Sequence, residues 1–65
     1  MPSSVIRTYR YDPVDHHLDV VFVSGRRYRY YDVPEHTYQD MRHAFSKGEF
    51  FNANVRDRYR FALLN

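Results

Sequence analysis

The sequence predicts an α+β fold: a small three-stranded antiparallel sheet followed by two helices packed on one face, in the order β-β-β-α-α. Three observations point there. Two apolar, alternating runs, "HLDVVFV" and "RRYRYYD", flank a Ser24-Gly25 turn. A proline-led segment, "VPEHTYQDMRHAFSKG", has apolar residues at helical spacing. A shorter helical pattern, "EFFNANVRDRY", follows it.

The chain has 65 residues and no cysteine, so one domain spanning 1–65 is expected, without disulfides. A domain this small buries only about 60% of its unfolded surface. The seven Tyr and five Phe are the natural compensation. The longest apolar run, Val20 to Val23, is far short of a membrane span. "MPSSVIRTYRYD" lacks the long apolar region of a secretory signal. These features predict a soluble, cytoplasmic protein with no membrane partner.

Each element has its own justification. Residues 1–4 read as a loose N-terminus. Val5 to Tyr11 is rich in β-branched and aromatic residues and reads as a strand. Val5, Tyr9 and Tyr11 share a parity that Ile6 breaks, which suggests a bulge. "DPVDHH" reads as a turn started by Pro13. In the second strand, His17 to Val23, Leu18, Val20 and Phe22 share one face. In the third, Arg26 to Asp32, Tyr28 and Tyr30 share one face while Arg27, Arg29 and Tyr31 share the other.

A three-residue loop, Val23-Ser24-Gly25, with Gly25 in the left-handed region, pairs Phe22 with Arg26, Val20 with Tyr28 and Leu18 with Tyr30. A two-residue loop would put apolar residues on both faces and is rejected. For the first helix, Pro34 suits N1, Glu35 the positive helix start and Gly48 the C-terminal cap. Tyr38, Met41 and Phe45 form its apolar stripe, with Ala44 beside them. The second helix runs from about Glu49 to Arg56, with Phe51 and Val55 spaced i, i+4. Residues 60–65 either extend it or fray.

The net charge is only +2, although ten residues are Lys or Arg, nine of them Arg. Residues 1–35 hold five Arg and five acids, so the excess lies in the second half. Two basic clusters are candidates for nucleic-acid binding. Arg27, Arg29 and Tyr31 would form a sheet platform for stacking and phosphate contacts. The plainer reading is a solvated face, because Asp19 falls opposite Arg29 and neutralises part of it. Arg56, Arg58 and Arg60, with Tyr59 among them and Lys47 nearby, would touch phosphates. On a helix Arg56 and Arg60 would share a face, and the plainer reading is a polar helix face with Asp57 as a local partner. The Tyr28-x-Tyr30 pair reads as core rather than platform.

Other chemistry is not supported. The chain has no cysteine nucleophile, GxSxG elbow or glycine-rich phosphate loop. The acids are scattered, so no acid/base pair can be named, and the domain is expected to be non-catalytic. His36, Asp40 and His43 share one helix face, but no metal signature accompanies them, and neither metal nor cofactor is expected.

The combined pattern resembles the KTSC domain, a short bacterial module also found at the C-terminus of some lysyl-tRNA synthetases. The resemblance rests on Ser4 and Ile6, Tyr11-Asp12, Leu18-Asp19-Val20-Val21-Phe22, Gly25, Tyr28-Arg29-Tyr30 and Val33-Pro34. It continues through Ala44-Phe45-Ser46-Lys47-Gly48, Phe51-Asn52 and Val55 to Tyr59. Arg10 departs from the small residue expected before Tyr11. The resemblance implies no catalytic or ligand residues. Its synthetase association prompts RNA binding, to tRNA or single-stranded RNA, as one expected function. A protein-interaction module, including a homodimer, is the other, motivated by an exposed sheet edge and a surface rich in Tyr and Arg.

Overall fold

The structure, a computed structural model, describes residues 5–65. The expectation of a loose terminus over 1–4 lies outside them. The elements are β1 (Ile6–Asp12), β2 (His17–Phe22), β3 (Arg27–Tyr30), α1 (Glu35–His43), α2 (Lys47–Asn54) and β4 (Phe61–Leu63). The strands form one antiparallel sheet in the order β1-β2-β3-β4. Among the described residues the fold is therefore α+β with four strands rather than three.

The β2–β3 register is the one the three-residue loop demands: Leu18 faces Tyr30 and Val20 faces Tyr28. Phe22 N donates to Arg26 O at 2.9 Å, and Gly25 takes a positive φ of 94°. That backbone region favours glycine, which fixes the turn. In β1 the register shifts between Ile6 and Thr8. The extra residue brings Ile6 onto the face of Tyr9 and Tyr11, so the broken parity is a bulge.

Leu18, Val20 and Tyr30 from the sheet meet Val33, Met41, Phe51 and Val55 in one buried cluster. Both helices therefore sit on one side. Tyr38 of α1 stacks on Tyr11 at 4.7 Å and meets Tyr9 edge-on at 6.1 Å. Phe51 of α2 meets Phe22 and Tyr30 edge-on at 5.5 and 5.2 Å. The Tyr11 hydroxyl donates to Val33 O at 2.6 Å, pinning the approach to α1.

Four expectations are corrected. First, Pro34 is the N-cap of α1, one position before N1. Second, α1 ends at His43 and the chain turns extended at Ala44, so Phe45 leaves the stripe and is 86% exposed. Gly48 does not cap α1 but lies buried in the first turn of α2. The cause is Ser46, whose hydroxyl accepts from Glu49 N at 3.2 Å and starts α2. A continuous helix through Phe45 would forfeit that cap.

Third, α2 runs from Lys47 to Asn54, so Arg56 lies beyond it and shares no helix face with Arg60. The carbonyl of Phe51 accepts from both Val55 N and Arg56 N at 2.9 Å, which closes the helix. Fourth, the tail neither extends α2 nor frays. Phe61 and Leu63 pair with Tyr30 and Tyr28 as an edge strand.

Candidate nucleic-acid interface

One face of the sheet carries both helices, and among the described residues no element covers the other, the open face. Strand alternation decides what the open face displays. Arg10, Asp19, Arg29 and Ala62 form one row across all four strands. Thr8, Val21 and Arg27 form a second. A third starts with Asp12 opposite His17. It continues through Tyr31, whose ring His17 meets edge-on at 5.1 Å, to Arg60.

The predicted platform residues do share this face, in different states. Arg29 is held by Asp19 through two parallel bonds, Nε to Oδ1 at 2.9 Å and Nη2 to Oδ2 at 3.0 Å. The hydrogen bond to Asp19, then its charge, raises the Arg29 pKa further. Arg27 is exposed and makes no ion pair among the described residues. Tyr31 is half-buried, and the Arg60 guanidinium lies 5.1 Å above its ring. Arg60 reaches Asp32 only at 3.8 Å, with both side chains more than three-quarters exposed.

Arg60 thus joins the sheet cluster and leaves its sequence neighbours. It arrives there because Tyr31 N donates to Arg60 O at 2.8 Å, extending the β3–β4 ladder. Arg58 is exposed in the turn after α2. Arg56 lines a groove on the helix side of the sheet. Tyr59 is no surface aromatic: it packs against the core and its hydroxyl bonds with Thr37 Oγ1 at 3.3 Å. Lys47 Nζ donates to Ala44 O at 2.8 Å, which ties it to the α1–α2 junction. The seven predicted residues therefore do not form one surface.

His36, Asp40 and His43 are all exposed, and His43 Nδ1 donates to Gln39 O at 2.8 Å. Among the described residues, the metal-type ligands that cluster are instead Asp12, Asp15 and His17, within 4.8 Å of one another. Local hydrogen bonding explains part of this cluster. Asp12 Oδ1 accepts from Val14 N at 2.9 Å and Asp15 N at 3.2 Å. These bonds, from Asp15 first, hold the Asp12 carboxyl below its usual range. The motif is an aspartate-capped turn, whose sequence signal is "DPVD".

The tyrosine pair also divides. Tyr30 is buried, as expected of core, whereas Tyr28 is only half-buried. Tyr28 lines the helix-side groove with Phe22, Tyr30, Phe51 and Phe61. The sequence gives little sign of this groove, because two of its walls come from α2 and β4, far along the chain.

The sequence pattern of the KTSC domain matches residues 2–59. A protein of Tsukamurella paurometabola is 39% identical over 62 residues, covering 95% of this chain and 92% of that one. A lysine–tRNA ligase of Nostoc sp. is 32% identical over 63 residues, covering 97% of this chain. This chain spans only 11% of that ligase. The crystal structure of a KTSC domain protein from Yersinia pestis superposes with a TM-score of 0.90 at 30% identity, covering 100% of this chain and 94% of that one. No helix among the described residues is long and apolar enough to cross a membrane. With sequence pattern, relatives and fold in agreement over nearly its whole length, the chain belongs to the KTSC domain family.

Proposed function

We propose that this domain is a non-catalytic accessory module that binds single-stranded RNA or the unpaired parts of tRNA through its open sheet face. One observation carries the reading: Tyr31 sits on that face between His17 and Arg60, with Arg10 on the adjacent row and Arg27 on the row beyond it. Sheets that bind RNA combine stacking surfaces with guanidinium contacts to phosphate. Here the exposed Arg60 plane and the Tyr31 ring would stack, and Arg10 and Arg27 would meet the backbone. The matching segment in lysine–tRNA ligases supports the substrate class and a cytoplasmic location. Arg56, Arg58 and Lys47 lie apart from this face and have no part in the proposal.

The test is an NMR titration of the protein with tRNA and with a mixed single-stranded RNA, at low and physiological salt. Shifts confined to Arg10, His17, Arg27, Tyr31 and Arg60 are expected, with affinity falling steeply as salt rises. No shifts at low salt would end the proposal.

A second reading, self-association, is favoured by β4. It is an edge strand on which Phe61 and Leu63, followed by Leu64, are all exposed. Exposed apolar edges invite strand pairing between copies. Sedimentation across a wide concentration range decides it: a constant monomer mass would dismiss it.

A further inference from the structure

The groove on the helix side has a volume of about 600 Å³. Natural small-molecule sites fall in the range of about 300–1,000 Å³ and are mostly apolar with a few placed polar groups. This groove has that composition. Its aromatic walls are coupled: Phe61 contacts Tyr28 at 5.7 Å and Tyr30 at 5.4 Å, and Phe51 closes on Phe22 and Tyr30. Phe61 nevertheless remains 53% exposed, so a ring of the wall still faces water.

The polar groups are unspent. Among the described residues no hydrogen bond engages the hydroxyl of Tyr28 or Tyr30. Tyr30 is only 4% exposed, yet among the described residues no buried side-chain oxygen lacks a partner. Its hydroxyl is therefore not sealed from solvent, and Tyr30 lines the groove. Arg26 and Arg56 stand at the rim, and neither forms an ion pair among the described residues. Among the described residues the one acid in the lining is Asp57. Two guanidinium groups against one carboxylate leave the rim matched to one further negative charge. A guanidinium binds a carboxylate through two parallel bonds, which fixes orientation as well as affinity.

We propose that this groove binds a small aromatic monocarboxylate, with its ring against Tyr28, Phe51 and Phe61 and its carboxylate on Arg56. Tyr30 offers the hydroxyl that orients the bound acid. The site shares no residue with the open sheet face, so it stands or falls independently of RNA binding.

The test uses 2-naphthoate as probe, with 2-naphthalenemethanol as its neutral counterpart, each titrated into the full chain and followed by amide NMR. Saturable shifts at Tyr28, Phe51, Arg56 and Phe61 are expected, with the alcohol weaker by about tenfold or more, the scale of one charge-assisted contact. Arg56→Gln, at an exposed position, should keep the spectrum of the folded domain and abolish the preference for the acid. Phe61→Ser should weaken both probes. The inference is overturned if naphthoate gives no saturable shifts, if the shifts map outside the groove, if acid and alcohol bind alike, or if Arg56→Gln retains the preference. Naphthoate binding without RNA binding would remove the RNA reading alone.

Discussion

Replacing Asp19 with asparagine separates the charge of the open face from its shape. Asp19 lies between Arg10 and Arg29 and ties up Arg29 with two bonds. Asparagine keeps the volume and removes the charge. The Arg29 and Asp19 side chains remain 36% and 31% exposed, so the pair is screened and its loss should leave the domain folded. What changes is the number of guanidinium groups available to phosphate on the face, from two (Arg10, Arg27) to three, since Arg60 lies over Tyr31 and faces Asp32. For single-stranded RNA each phosphate contact adds about −0.7 to the slope of log affinity against log salt. The slope should therefore steepen from about −1.4 to about −2.1. Between about 50 and 200 mM salt, affinity should fall about 7-fold for the parent and about 20-fold for Asp19→Asn. Fluorescence anisotropy with a labelled single-stranded RNA reads this directly. A control is the Arg29 Nε–H exchange rate, which should rise once its acceptor has lost its charge. If that rate rises while the salt slope stays the same, Arg29 is free but idle, and the open face is not the binding surface.

Further outcomes follow from the packing and from two groups of titrating side chains. Ser46→Ala removes the α2 N-cap and should cost about 1 kcal/mol, seen as a lower urea midpoint with an unchanged m-value. Phe51 is 2% exposed, so Phe51→Ala should cost about 3–5 kcal/mol. A 65-residue domain has only about 3–10 kcal/mol in total, so the near-ultraviolet circular dichroism should collapse. Phe45→Ser, at a position 86% exposed, should stay within about 0.5 kcal/mol of the parent, and a loss like that of Phe51→Ala would mean Phe45 is core after all. Burial raises the pKa values of Tyr9, Tyr11 and Tyr30 above the ordinary 10.0. The unfolded chain then loses these protons first, so stability is full below pH 10 and falls as pH rises above it; alkaline melts of Tyr30→Phe should show a shallower fall. Asp12 has the opposite sign. Its lowered pKa gives stability that is present above the ordinary 3.8 and lost as pH falls through the folded value, and Asp12→Asn should flatten that acid limb.

What the sequence made legible was local or set by alternation. Ser24-Gly25 and the two flanking apolar sets determine one register, and that register decides which tyrosines face the core. The Asp19–Arg29 pair follows from it directly. The end of α1 was not legible from periodicity, because Phe45 fits the i, i+4 spacing from Met41. There a single hydroxyl cap on Ser46 outweighs a good apolar match, and it does so by starting a new helix. β4 was hidden for another reason. Three residues are too few to show an alternation, and their partner strand lies about 30 residues earlier, so the pairing is a tertiary fact. The regrouping of Arg60 and the groove both follow from β4. Once the tail becomes a strand, Arg60 must join Tyr31 on the open face and Phe61 must join Tyr28 on the other.

The stretch from Arg27 to Tyr30 therefore serves two surfaces at once. Its arginines alternate with its tyrosines, and a strand turns alternation into opposite faces. Tyr28 and Tyr30 go to the helix side, where one lines the groove and the other also fills the core. Arg27 and Arg29 go to the open side, where Asp19 restrains one and leaves the other free. A slip of one residue would exchange the two sets, burying guanidinium groups and exposing phenols. Gly25 guards against that slip through its backbone alone. A side chain there would meet nothing within 4 Å, so the constraint is its positive φ and not a lack of space. The same turn that secures the core thus determines which chemistry each face of the sheet presents, and neither proposed site can be altered in register without the other.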